Sequence, residues 1–419
     1  MVIGAVADDI TGATDLSLML SRAGLRTVQV IGVPEGELPQ ADAVVIALKS
    51  RTILAQEAIG IALASGKALL QGGARQILFK YCSTFDSTDQ GNIGPVTAAL
   101  MGLTGATLTI ACPAFPANGR TVYKGHLFVG DQLLSDSPMQ DHPLTPMRDA
   151  NLLRVLARQT ELPVGLVDSA TIAKGTVAVR TAFAAAEAAG KRILVVDTLC
   201  DADLMTLGAA CAGMALVTGG SGIALGLAAN FARTGNATLP ALMPAPKGRA
   251  AILAGSCSRA TRGQIAAAKT AGLPTLALDV MAIAEGRLTA TAIAGWAASQ
   301  PDNSTPLVYS SADPEALAAI HERLGTAVSG ALVEQVLADI ARLLQASGFT
   351  RFLIAGGETS GAVVAALGVK MLEIGPEIDP GVPWTRSING PDLALALKSG
   401  NFGAPDFFLK AWTLLEPAP

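Results

Sequence analysis

The hydrophobic positions of this chain fall in short blocks separated by polar turns. Residues 2–7, 27–33, 43–48, 77–81 and 107–111 are each largely apolar over the length of a buried strand. Stretches at 16–23 and 55–73 carry apolar residues at helical spacing. Strand and helix in alternation predict a parallel sheet with right-handed crossovers. The scheme continues through strands at 193–196 and 216–218 and a helix at 223–231, with a long polar loop expected at 118–149. Residues 234–248 then lose periodicity and carry Pro240, Pro244 and Pro246. Beyond them, strands are expected at 250–254, 307–309, 351–355 and 393–397. The expectation is an α/β protein of two domains, each a mostly parallel sheet flanked by helices, with the active site in the cleft between them. The boundaries are 1–235, a linker at 236–248, and 249–419.

Length supports that division, since 419 residues exceed what one core usually serves. Charged residues are 15% and aromatics 4%, which suits closely packed α/β layers. A net charge of -4 argues against a nucleic-acid partner, which needs a basic face. The uncharged runs 90–119 and 204–232 raise a membrane question, but Pro95, Pro113 and Pro116 break the first and Gly219, Gly220 and Gly222 the second. The first apolar block is short and lacks a basic leader, so no signal peptide and a cytoplasmic location are expected. Five scattered cysteines without a C-x-x-C pair predict reduced thiols. His126 and His142 are not at ligand spacing, His321 reads as a surface residue of a helix, and no metal ligands are assigned.

The residues just past each strand carry the chemistry. Asp8 and Asp9 come after the first block, Lys49 and Arg51 after 43–48, and Lys80 comes with Ser83 and Asp86. Carboxyl ends of parallel strands share one edge, where ligands bind. Carboxylates, hydroxyls and cations there suit a small anionic polyol, Arg gripping a carboxylate and Asp accepting from hydroxyls. The competing reading is that one aspartate caps the next helix and the other is solvated. The loop Gly219-Gly220-Ser221-Gly222 opens a helix as an anion cradle would, although the G-x-G-x-x-G fingerprint is not met. The second half places glycine and hydroxyl loops at strand ends: Gly255-Ser256-Cys257-Ser258, Gly356-Gly357-Glu358-Thr359-Ser360-Gly361 and Ser399-Gly400. Glycine lets backbone amides approach phosphate oxygens, so nucleotide is expected here and its acceptor in the charged half.

Three stretches resemble the four-carbon acid sugar kinases: Ala7-Asp8-Asp9-Ile10-Thr11-Gly12-Ala13, Lys80-Tyr81-Cys82-Ser83-Thr84-Phe85-Asp86-Ser87, and Gly356-Gly357-Glu358-Thr359-Ser360-Gly361. Ala111-Cys112-Pro113-Ala114-Phe115-Pro116 and Leu397-Lys398-Ser399-Gly400-Asn401-Phe402-Gly403 are similar to the branch acting on 3-oxo-tetronate. The resemblance implies phosphorylation of that acid's C4 hydroxyl by ATP, an N-terminal sugar-acid domain and a C-terminal nucleotide domain. It puts ATP on Ser256, Ser258, Gly357, Glu358, Thr359, Ser360 and Gly400. Phosphoryl-transfer chemistry adds Mg2+. It also suggests Asp8 or Asp9 to orient the hydroxyl and take its proton, with Thr11, Arg51, Lys80 and Ser83 on the substrate and Arg51 or Lys80 on its carboxylate. D-threonate or D-erythronate kinase activity is the sister alternative, and a sugar-acid binding or sensing protein without chemistry the alternative from another class. The expected partners are the sugar acid and ATP, with no nucleic acid and no membrane; a homo-oligomer is left open.

Overall fold

The computed structural model describes residues 1–142, 144–231, 240–310 and 322–416. The chain forms two compact units, Met1–Thr238 and Leu239–Pro419.

In the first unit, parallel strands run in the order Thr27–Ile31, Ala43–Ala47, Ile3–Ala7, Gln76–Lys80, Leu216–Gly219, Thr109–Cys112, Ile193–Val196 and Val164–Val167. Ile3–Ala7, Ala43–Ala47, Gln76–Lys80 and Ile193–Val196 are buried along their whole length, as expected where helices cover both faces. From Ile3–Ala7 the chain turns to one side to build two strands, then crosses back to place Gln76–Lys80 on the other. That reversal is a topological switch point, and the crevice outside the carboxyl ends of its strands is where such sheets bind ligands. Register brings Ala7 level with Ala47 and Lys80, and Lys80 level with Gly219.

Several expectations change. The first helix spans Ile10–Arg22, starting well before the expected 16–23, because the Asp9 carboxylate caps it by accepting from the Gly12 N–H at 3.2 Å. The polar stretch after Asn118 includes an antiparallel sheet of Arg120–Tyr123, His126–Val129 and Gln132–Leu133. The glycines at 219, 220 and 222 do not form an anion cradle. A Cβ at each would collide with or crowd the carbonyls of Cys112, Pro113 and Ala114, so they permit close backbone packing. Ser221 is buried and donates to Asp15. His321 lies outside the described residues.

The second unit orders its strands Thr275–Ala277, Leu307–Tyr309, Arg249–Ala254, Phe349–Ala355, Ala394–Lys398, Val382–Ile388 and Met371–Asp379. The first five are parallel; the last two add an antiparallel hairpin that the hydrophobic pattern does not predict. Of the expected linker, residues 236–239 lie outside the described residues. Met243 and Pro244 do not run free: they pair with Leu415 and Glu416, and Met243 is buried in this unit's core with Trp384. Among the described residues no helix is long and apolar enough to cross a membrane, and the five cysteines are free.

Candidate active site

Six side chains singled out from the sequence meet at the switch point of the first unit: Asp8, Asp9, Thr11, Arg51, Lys80 and Asp86. Arg51 reaches Asp8 with a two-pronged fork, Nε to Oδ2 and Nη2 to Oδ1, both at 2.9 Å. The same Nη2 lies 2.7 Å from Asp9 Oδ1, and Nη1 is 3.7 Å from Asp86 Oδ2. Lys80 Nζ lies 3.4 Å from Asp9 Oδ1, and Thr11 donates to Asp9 Oδ2 at 2.8 Å. The backbone fixes these positions: Asp8 N–H donates to Lys80 O, and Ser50 N–H to Asp8 O. Asp86 is aimed by a turn at Phe85, whose φ of +52° is rare for a bulky residue and is held by burial against Tyr81. Thr84 donates to the Asp86 carboxylate at 2.5 Å. Ser83 is half-buried on this turn, close to Gly220.

The two aspartates differ electrostatically. Burial pushes the Asp8 carboxyl upward, with Arg51 opposing it. Burial acts the same way on Asp9, but Arg51 and Lys80 outweigh it and hold that carboxyl well below its ordinary range. Neither aspartate is solvated in the way the competing reading required: Asp8 is 5% exposed, and Asp9 both caps the helix and pairs with two cations. Arg51 has its fork committed to carboxylates, whereas Lys80 makes one hydrogen bond among the described residues and keeps donors for a ligand. Gly12 was not among the candidates, yet it admits Lys80: a Cβ there would collide with Lys80 Nζ and Asp9 Oδ1. Beside this cluster, Cys82 Sγ lies 2.9 Å from Thr84 Oγ1, and burial pushes its thiol up to about 12. A cavity of about 740 Å³ begins at Ser87, next to Asp86, and is lined by Arg148, Arg154 and Arg158, the last two braced by Asp149.

The glycine and serine loops of the second unit also converge. Ser258 N–H donates to Ser256 Oγ at 3.2 Å, and Ser258 Oγ caps the helix Arg259–Thr270 by accepting from Thr261 N–H. Ser258 and Thr261 both donate to Gly400 O. Gly400 has no room for a side chain, because a Cβ would press on Ser256 and Ser258. Gly357, Glu358, Thr359 and Ser360 form the first turn of the helix Gly357–Ala366. Its N-cap, Gly356 at φ +131°, has no side chain with which to cap the turn. Ser360 Oγ is buried and without a hydrogen-bond partner among the described residues. An uncapped helix N-terminus with an orphaned hydroxyl fits phosphate oxygens. Lys398, buried at the end of its strand, was missed from the sequence although its stretch was singled out. Among the described residues no cluster of three or more His, Cys, Asp or Glu could hold a metal by itself.

Residues 3–227 match the family described as a sugar-binding N-terminal domain, and residues 251–408 match the nucleotide-binding C-terminal domain. A 3-oxo-tetronate kinase of Burkholderia multivorans is 53% identical over 100% of this chain and 98% of its own. One from Pseudomonas fluorescens is 54% identical over 98% of this chain and 96% of its own. A crystal structure from Salmonella typhimurium LT2 superposes with a TM-score of 0.88 at 43% identity, covering 99% of each chain. A Haemophilus influenzae protein gives 0.79 at 41% identity, covering 99% of this chain and 100% of that one.

Proposed function

This chain belongs to the four-carbon acid sugar kinase family, and from that premise we propose that it phosphorylates the C4 hydroxyl of 3-oxo-tetronate with ATP, giving 3-oxo-tetronate 4-phosphate. The observation that carries the substrate is identity above one half, over essentially the whole chain, to kinases of that name. The nucleotide half is supported independently by the uncapped turn at Gly357 and the orphaned Ser360 hydroxyl.

In the reaction the C4 oxygen bonds to the γ-phosphorus, the bond to the bridging oxygen breaks, and ADP departs. The hydroxyl proton must go to a base. We assign it to Asp8, whose carboxyl burial raises, rather than to Asp9, which two cations hold ionised. Asp9 is then the group that keeps Lys80 and Arg51 in place. Lys80, with donors to spare, is the better holder of the substrate carboxylate, Arg51 being engaged by Asp8 and Asp9. Thr11 and Ser83 complete the acceptor side. Ser256, Ser258, Gly357 to Ser360 and Gly400 form the ATP side, and Mg2+ arrives with the nucleotide, whose phosphates supply much of its coordination. A kinase drawing on the cell's ATP works in the cytoplasm.

The test is an ADP-release assay with Mg-ATP, offering 3-oxo-tetronate, D-threonate and D-erythronate side by side. Turnover confined to the 3-oxo acid is expected. Preference for a 3-hydroxy acid would overturn the substrate and keep the family; ATP binding without turnover would favour a sensing protein.

A further inference from the structure

We propose that Lys398 is a positioning residue for the nucleotide: its ammonium locks the Ser399–Gly400 turn, and the bound phosphates supply its missing counter-charge. This rests on the kinase reading above. Lys398 Nζ donates to Thr261 Oγ1 at 2.9 Å, Ser399 O at 3.1 Å and Gly400 O at 2.9 Å. Three protons thus meet three neutral oxygens. Thr261 relays to the same Gly400 carbonyl at 3.0 Å, closing a triangle of lysine, threonine and turn.

Peptide planarity carries the effect to the other side of the turn. A carbonyl aimed at Lys398 turns the N–H of the same peptide the opposite way. The carbonyls of 399 and 400 point at the ammonium, so the N–H groups of Gly400 and Asn401 point away from it. Among the described residues neither N–H donates a hydrogen bond. Two successive free amides of this kind form an anion-binding concavity.

The charge balance points the same way. Lys398 is wholly buried, and among the described residues no carboxylate pairs with it. Arg351 and Arg386 on neighbouring strands both oppose Ala394, at the other end of the strand. Arg259 and Arg262 lie on the helix behind Thr261, and Glu358 on the helix Gly357–Ala366. Burial alone lowers Lys398 to about 7. A buried ammonium without an anion is costly, and methionine would fill the same volume without that cost. A polyphosphate nearby removes the penalty and draws the proton back on.

The decisive measurement is ATP binding by calorimetry on the full chain, in two buffers of different ionisation enthalpy, just above the Lys398 midpoint. The unaltered protein is expected to take up a proton on binding ATP, and its affinity to fall by up to about tenfold per pH unit above the midpoint. Lys398→Met should bind ATP at least about tenfold more weakly below the midpoint, take up no proton at this site and lose that pH dependence. Its KM for the sugar acid should not change. Proton uptake and pH dependence persisting in Lys398→Met would overturn the proposal. So would ATP binding without proton uptake in the unaltered protein, a result needing no variant to fold. Absence of any ATP binding by the unaltered protein would instead remove the kinase reading.

Discussion

The two units gather their candidate site residues at the same place in the fold, the carboxyl ends of parallel strands, with opposite electrostatics. In the first unit, Asp8, Asp9, Arg51, Lys80 and Asp86 sit within reach of one another, and their charges are largely spent internally. In the second, neutral hydroxyls and carbonyls surround one lysine without a carboxylate partner among the described residues. The helix ends differ in the same sense: Asp9 caps one, while Gly356 leaves the other bare. The lesson is that a group doing acid–base work must have its protonation state set before substrate arrives. A phosphate site gains by waiting for its ligand to complete it.

The contrast is tested most directly at Asp8. Asp8→Asn should cut turnover about a hundredfold or more while ATP affinity stays intact, read by ADP release and calorimetry. Full turnover would end its assignment as base. Gly12→Ala should push the Lys80 ammonium from its place and raise the KM for the sugar acid about tenfold, with the KM for ATP unmoved. An equal change in both would show that the two sites are not independent.

On the other side, Ser360→Ala should weaken ATP about three- to tenfold without loss of thermal stability, because its hydroxyl has no partner to lose among the described residues. A drop in melting temperature would show that it serves the fold. The smallest effect concerns Asp9. Asp9→Ala should be about 1 kcal/mol less stable than Asp9→Asn by urea unfolding, since asparagine still caps a helix and alanine does not. The depressed carboxyl of Asp9 adds stability that is present above the ordinary carboxylate range and is lost as pH falls through and below it. Both variants should therefore lose less stability on acidification than the unaltered protein.

Much of this was legible in the strand-end residues, because a buried strand stops where polar residues begin. Ile193–Val196 and Leu307–Tyr309 match their expected ranges for that reason. Val164–Val167 escaped notice, being short, half-exposed and interrupted by Gly165. The hairpin Met371–Asp379 and Val382–Ile388 mixes Pro376, Pro383 and charges into its strands, which reads as loop. Glycine is ambiguous in sequence: at 219, 220 and 222 it permits packing, at 356 it gives a helix no side-chain cap, and the letters are alike. Lys398 was missed because a lysine closing an apolar run normally reaches water, and here it is wholly buried.

Asp9 starts a helix and also holds two cations, while Asp8 holds one, Arg51, and caps no helix. In a survey of every substitution scored by cellular abundance, changes at 9, which remove a helix cap as well as an ion-pair partner, would register more strongly than changes at 8. Scored by growth on the sugar acid, the two neighbours would look alike. The gap between those maps would separate a residue that builds the site from one that uses it.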